Sequence, residues 1–558
     1  MPATAGLLRL APAAAAGKTA ATVVAAASGL LLPAASALVL DRILAGDSAT
    51  AALLAFTGLL LLRVLAEWGG EIAGISAATT VLGVLRHRLV RQVFALGVPG
   101  TRRHPVGDLL ARLTGNAATA ANALPYLVEV VVETIAAGCG LIALWLIDWR
   151  VGLAFLIGAL PVGLVLQRSM RTSTSRFAEY LGHLSGIAAR LTDALAGSRT
   201  IRACGAQNRE VQRILAPMPE LARAGLSTWD VLRAVSWQVG FAQTALRVAV
   251  LIVAGAGVAT GRITPGEFLA VTLYLTIALG FAQQVDPLMS LAAARANANR
   301  VTELLAERPT VHAGATALPA GPGALSFRGV SVRLDDRLVL DAVDLEVPAG
   351  AVVAVVGRSG SGKTTLGLLA GGLLDPDAGA VLLDGVPVRT LDPAALRDAV
   401  GYAFDHPVLL GETIREAIAF GRPEHAEVER AARIAQAEDF IRRLPAGFDT
   451  RLDGAPLSGG EVQRLGLARA VAHDGRVLVL DDATSSLDTI TEAKLAEAFT
   501  EGLAGRTRLV IAHRTVTAAR ADLVAWLDHG RIRAVAPHHT LWETQPGYRA
   551  VFVAGGAG

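Results

Sequence analysis

The chain has 558 residues, 53% of them apolar and only 18% charged, with a mean hydropathy of +0.48; soluble domains carry about 25% charged residues, so an entirely soluble protein is disfavoured. One core rarely grows past about 250–300 residues, so several domains are expected. The net charge of +3 rests on arginine, the only lysines being Lys18, Lys363 and Lys494; no basic block argues for nucleic acid, and Cys139 and Cys204 supply neither a disulfide framework nor a metal site.

Residues 19–40 are free of charge for 22 positions, close to the ~20 that cross a bilayer as helix. The run is long for the apolar part of a cleaved leader, and further spans follow. Those are expected at 48–66, 124–147, 151–168, 236–259 and 264–286, making six. Two long polar segments, 67–123 and 169–235, separate them. The first holds Arg86, Arg88, Arg91, Arg102, Arg103 and Arg112, the second Arg190, Arg199, Arg202 and Arg209 among others. Arginine-rich loops favour the cytoplasmic side, which places both termini there as well. Both segments keep apolar residues at helical spacing, so the spans are expected to continue as helices beyond the lipid. The Ala/Arg/Gly bias resembles a high-GC bacterium, and the expected setting is a multi-pass protein of a bacterial inner (plasma) membrane.

Charges within spans are costly. Glu129 and Glu133 lie one helical turn apart in the third span, and Arg247 interrupts the fifth. Two readings stay open: Arg247 pairs with a glutamate or the glutamates lie below the bilayer, or these charges line a polar cavity that meets a substrate. Gln238, Gln243, Gln283 and Gln284 are further polar candidates in the last two spans.

The stretch "RPTVHAGATALPAGPG" reads as a linker, and after it short apolar runs alternate with helical segments, as in a soluble α/β domain. The expected division is 1–308 all-α transmembrane domain, 309–322 linker, and 323–558 α/β P-loop domain. "AVVAVVGRSGSGKTTLGLLAGG" is a buried strand, a glycine loop and a helix, and fits G-x-x-x-x-G-K-[ST] from Gly357 to Thr364. Its glycines let backbone N–H groups turn onto phosphate oxygens, and the helix N-terminus faces the same anion. Gly357, Arg358, Ser359, Gly360, Ser361, Gly362, Lys363, Thr364 and Thr365 are the expected ATP-binding loop. Lys363 would reach the β and γ phosphates, and Thr364 would ligate Mg²⁺. "RVLVLDDATSSLD" ends a second buried strand in Asp481, suited to hold Mg²⁺; Asp482 follows where a carboxylate would act on the attacking water.

"PLSGGEVQRLGLARA" adds another anion-binding helix terminus at Ser458, Gly459, Gly460 and Glu461. A spare phosphate binder makes sense if it closes on nucleotide held by another subunit. With "IAHR" and His513, these motifs resemble the ATP-binding cassette (ABC) family over almost the whole chain, as a half-transporter of the exporter type. "GTRRHPVGDLLARLTGNA" and "LTDALAGSRTIRACGAQNRE" are similar to the family's two intracellular loops, and "RANANRVTELLAERP" to the end of its sixth helix. The resemblance implies a helical subdomain within the ATPase domain, ATP and Mg²⁺ as cofactors, a bilayer, a second half-transporter, and a small-molecule or peptide substrate.

The chain departs from the family in three places. Asp482 stands where the family has glutamate, Asp405 where it has a glutamine that senses Mg²⁺ and water, and Leu334 where an aromatic residue stacks on adenine. His513 is kept. Asp482 is one methylene shorter than glutamate, and a misplacement of ~1 Å can cost about a hundredfold in rate. The resemblance therefore implies a heterodimer in which this chain's own P-loop site is degenerate while its intact signature completes a partner's site; a homodimer with slow hydrolysis at Asp482 is the alternative. Export of an amphipathic molecule, natural product, drug or modified peptide is the leading expectation. Import of a metal-chelator complex and homodimeric lipid or multidrug export share the same motifs.

Overall fold

The computed structural model describes residues 10–280, 284–309, 314–334, 336–420 and 425–555; Gln283 lies outside them. Packing divides the chain into two compact units, 1–91 with 107–306, and 92–106 with 307–558. The stretch 92–106, expected with the membrane domain, thus groups with the second unit.

The first unit is helical. Its long elements are α1 (Pro12–Leu44), α2 (Thr50–Arg103), α3 (Ala123–Ile147), α4 (Trp149–Ala196), α5 (Met218–Ala259), α6 (Pro265–Ala278) and α7 (Val285–Ala306). Four described helices are long and apolar enough to cross a bilayer: Pro12–Leu44, Thr50–Gly100, Val106–Ile147 and Ser236–Ala259. The shorter apolar helices Trp149–Val165 and Pro265–Ala278 stand at the fourth and sixth expected spans. The sixth, expected as one run over 264–286, is divided, because α6 ends at Ala278 and α7 begins at Val285. As the apolar spacing predicts, α2, α4 and α5 extend far beyond their apolar stretches. Gly97, at φ 59°, breaks the regular course of α2 just before Pro99, where proline could not have kept its i→i−4 bond.

Short connections are fixed by polar side chains. Asp41 accepts from the Thr264 hydroxyl (2.7 Å) and the Gly266 N–H (2.8 Å). A Cβ at Gly266 would lie 2.3 Å from the Ala37 carbonyl oxygen, so glycine is required for α6 to start there. Thr264 and Glu267 form a reciprocal capping box, and Arg262 pairs with Asp148. The apolar interior of this unit is built from Leu144, Val151, Phe155, Leu246, Val250, Tyr274 and Leu275.

The second unit holds two sheets. An antiparallel sheet has the order β2-β1-β4-β5, with β1 (Leu325–Leu334), β2 (Arg337–Val347), β4 (Ala378–Leu383) and β5 (Val386–Pro387). The second sheet has the order β10-β9-β3-β8-β7-β6, where β3 is Val352–Val356, β6 Val400–Ala403, β7 Val477–Asp481, β8 Thr507–Ile511, β9 Leu523–Asp528 and β10 Arg531–Ala536. Pairings β3–β8, β3–β9, β6–β7 and β7–β8 are parallel, and only β9–β10 is antiparallel. Strands buried on both faces read as continuous apolar runs; "VVAVV" and "VLVLD" do so here.

The expected linker is partly built into this unit. Thr316 donates its N–H to the Thr390 carbonyl (2.9 Å) and accepts from Asp392 N–H (2.8 Å). Glu307, just before it, gathers Gln92, Arg103 and His104. The His104 hydrogen bond, 2.7 Å, holds the Glu307 carboxyl below its ordinary range against the effect of burial. Two segments singled out in the sequence, around "GTRRHP" and "LLAERP", therefore meet.

Candidate functional site

Four neighbouring strands, β3, β8, β7 and β6, deliver their carboxyl ends to one place, where ligands of parallel sheets bind. The glycine loop follows β3, His513 follows β8, Asp481 and Asp482 end β7, and Asp405 follows β6.

The loop is built for close backbone approach. A Cβ at Gly357 would lie 2.1 Å from the Leu527 carbonyl, and one at Gly362, where φ is +105°, 2.6 Å from Leu340 Cδ2. Gly362 caps the helix α8 (Lys363–Ala370). Gly360 takes φ +77° and faces open space. Arg358, Ser359 and Thr364 are exposed, while Ser361, Lys363 and Thr365 are buried. Lys363 donates to the carbonyls of Gly357 (2.8 Å) and Arg358 (3.0 Å). Burial lowers its pKa, opposed by Asp481 and Asp482. Ser361 Oγ is buried with no hydrogen-bond partner among the described residues, as expected of a group set to meet phosphate.

The acidic side supplies hard oxygen donors. Thr364 Oγ1 donates to Asp481 Oδ1 at 3.4 Å. Burial, then the Asp405 and Asp482 carboxylates, push Asp481 up to about 6, against the Thr364 hydrogen bond and Lys363. Such crowded negative charge fits a divalent cation, and Thr364 with Asp481 would hold Mg²⁺ here. Burial also raises Asp482, with His513 opposing, and burial and Lys363 lower His513. Asp482 sits at φ +47°, a left-handed conformation that aspartate tolerates better than most side chains.

Two residues that the sequence reading passed over organise this centre. Gln463 is 2% exposed. Its amide donates to the carbonyls of Asp405 and Asp482 (both 3.3 Å) and to Ser485 Oγ (3.1 Å), and accepts from Ser486 N–H (2.9 Å). It lies on α10 (Gly459–Ala472), following α9 (His425–Ile434) in the labelling used here. Arg514, next to His513, pairs with Glu492 (2.6 Å) and donates to Ser485 O (3.0 Å). A polar residue inside the apolar face of "GLARAVA" and its preceding turn was the available signal for Gln463.

At the signature, Ser458 caps α10. Glu461 Oε2 accepts from Ser458 N–H (2.8 Å) and hydroxyl (2.9 Å). Glu461, expected among the nucleotide contacts, is thus engaged in a capping box. Leu334 ends β1 half-buried against the sheet core and offers no aromatic face.

In the helical unit, the expected partner of the glutamates is corrected. Arg247 is exposed, and no hydrogen bond or ion pair reaches it among the described residues. Lys18 takes that role: it is 4% exposed and contacts Glu129 at 2.9 Å and Glu71 at 3.4 Å. Glu133 accepts from the Gln284 amide instead. The physical reason is helix phase: α1 and α2 turn Lys18 and Glu71 toward α3, whereas Arg247 points out of the bundle. A cavity of about 620 Å³ opens beside these groups, and neither Gln238 nor Gln243 is among its walls.

Residues 19–281 match the family described as ABC transporter transmembrane region, and 340–485 the one described as ABC transporter. The chain is 43% identical to ABC transporter ATP-binding protein RamA of Streptomyces coelicolor, over 95% of this chain and 80% of that protein. It is 32% identical to an ATP-dependent lipid A-core flippase of Chromobacterium violaceum, over 88% and 85%. A solved bacterial Atm1-family ABC exporter with ATP bound superposes with a TM-score of 0.79 at 26% identity, covering 99% of both chains.

Proposed function

We propose that this chain, which belongs to the ABC transporter family as an exporter-type half-transporter with an ATPase coupled to transport, exports an amphipathic small molecule, natural product or modified peptide as one half of a heterodimer. Hydrolysis is weak at its own P-loop and occurs chiefly at the site its signature completes on the partner.

Asp482 carries this reading. It stands in the place of the family's glutamate, one methylene short, on a left-handed backbone that suits aspartate. Asp405 adds a second carboxylate where the family has an amide. The chain's own residues still bind nucleotide: the loop N–H groups and Lys363 take the phosphates, and His513 lies across from Asp482. When bound, Mg²⁺ at Thr364 and Asp481 supplies neutralisation of phosphate charge.

A bacterial inner-membrane setting with cytoplasmic ATPase and termini fits the arginine-rich long segments on one side. The domain boundaries we assign are 1–308, 309–322 and 323–558.

The test is Mg-ATP turnover by the purified chain in lipid. Near-background turnover, unchanged in Asp482→Asn and raised in Asp482→Glu, supports a degenerate site. The longer side chain on left-handed backbone should cost about 1 kcal/mol of stability. Brisk wild-type turnover that Asp482→Asn abolishes would instead identify Asp482 as a working base and the protein as a homodimeric pump.

A further inference from the structure

Six charged side chains from apolar helices line one cavity of the helical unit, and an ionisable group within such helices has a functional reading by default. Lys18 comes from α1. Arg63, Glu67 and Glu71 follow one another at four-residue spacing along one face of α2, and Glu129 and Glu133 do the same on α3. All six line the cavity of about 620 Å³, within the 300–1,000 Å³ usual for small-molecule sites. The rest of the wall is largely apolar, with Leu30, Val132 and Ile277.

The cations are already committed. Lys18 is held between Glu129 and Glu71, and Arg63 Nε lies 2.8 Å from Glu67. Glycines make room for both long side chains: a Cβ at Gly74 would come 3.3 Å from Lys18 Cδ, and one at Gly29 3.2 Å from Arg63 Nη1. Four carboxylates therefore face two cations. A second observation points the same way. Gln284, 4% exposed, gives its amide N–H to Glu133, and its buried carbonyl oxygen has no donor among the described residues. The cavity wall carries an excess of negative charge.

We propose that this cavity binds the cationic group of an amphipathic cargo, an ammonium or guanidinium that supplies the missing positive charge beside Glu133, while its apolar body lies on the Leu30, Val132 and Ile277 wall. An anionic cargo head fits poorly, because carboxylates outnumber cations four to two in this wall and Lys18 is held between two of them. This assignment rests on the transport reading above and names the cargo class for it.

The test is equilibrium binding of a dansylated alkylamine and its N-acetylated, uncharged counterpart to the full chain in phosphatidylcholine nanodiscs, with empty nanodiscs as reference. The amine should bind at least tenfold tighter. Glu133→Gln should weaken the amine about three- to tenfold and leave the acetylated probe unchanged. Glu71→Gln with Glu133→Gln should erase the preference, and both variants leave the Lys18–Glu129 pair in place. Binding of a fluorescent ATP analogue, unchanged in the variants, shows that they are folded. Equal binding of the two probes, binding of neither, or a preference that survives the double substitution overturns the inference. Failure of the wild-type chain to bind the ATP analogue, with the amine preference intact, would overturn the transport reading instead.

Discussion

Gln463 shows how much one buried amide can organise. Through it α10 holds the carbonyls of Asp405 and Asp482 and the turn at Ser485 and Ser486. Removing it strands several buried groups, and each unsatisfied partner costs about 1–3 kcal/mol. Gln463→Ala should lower the thermal midpoint of the full chain markedly and weaken ATP-dependent stabilisation, read by thermal unfolding with and without Mg-ATP. Asp481 presents the opposite case. Burial and two neighbouring carboxylates make its charge unfavourable, so Asp481→Asn should raise the thermal midpoint of the nucleotide-free chain. The same substitution should remove most of the stabilisation that Mg-ATP gives, about 2.7 kcal/mol at a hundredfold excess over Kd in the wild type. A midpoint that falls without nucleotide would argue against repulsion at this site. The three carboxylates were legible as separate residues in the sequence. The resemblance already set all three at the Mg²⁺ and water position; the mutual effect of their charges needed the sheet order that makes β6 and β7 neighbours.

Helix termini account for the next level. Asp488 caps α11 (Thr489–Gly502), accepting from Ile490 N–H (3.1 Å) and Thr491 N–H (3.0 Å). The hydroxyl and N–H of Thr491 hold its carboxyl below the ordinary value of 3.8. A carboxyl depressed in the folded state stabilises above its unfolded pKa and loses that contribution as pH falls through the folded value. Wild type should therefore unfold at a higher temperature than Asp488→Ala at pH 7, with the gap closing below about pH 4. A gap that stays constant would assign the effect to something other than the charged cap. The elements themselves were largely readable from apolar spacing: the long helices continue where amphipathic patterning extends past the lipid, and the glycine loop joins strand to helix as its motif requires. The division of the sixth span was not readable, since residues 268–282 carry no charge and no proline, and the polar Gln284 gains its importance only from Glu133 on another helix.

At the scale of the molecule, α2 exposes most of its apolar stretch, with only 6% of that window buried inside the chain. Lipid or another subunit must cover it, in keeping with a half-transporter. Co-expressed with a half-transporter that carries the family glutamate, this chain should support brisk ATP turnover. Gly459→Asp here should abolish that turnover by at least tenfold, while Lys363→Ala should lower it far less. Equal loss from both substitutions would place hydrolysis at this chain's own loop.

Sequence by itself determined the local chemistry of this protein: spans by hydropathy, the phosphate loop by its glycines and Lys363, and the shortened carboxylate at Asp482. Those features are set by residues close together in the chain, where periodicity and spacing carry the information. Only the tertiary structure decided which charges meet. It gave Glu129 to Lys18 rather than Arg247, gathered Arg63, Glu67 and Glu71 around the same cavity, and set the carbonyls of Asp405 and Asp482 on the Gln463 amide. The reason is geometric. Helix phase and strand order set the distance between side chains far apart in sequence, and Coulomb energy depends on that distance.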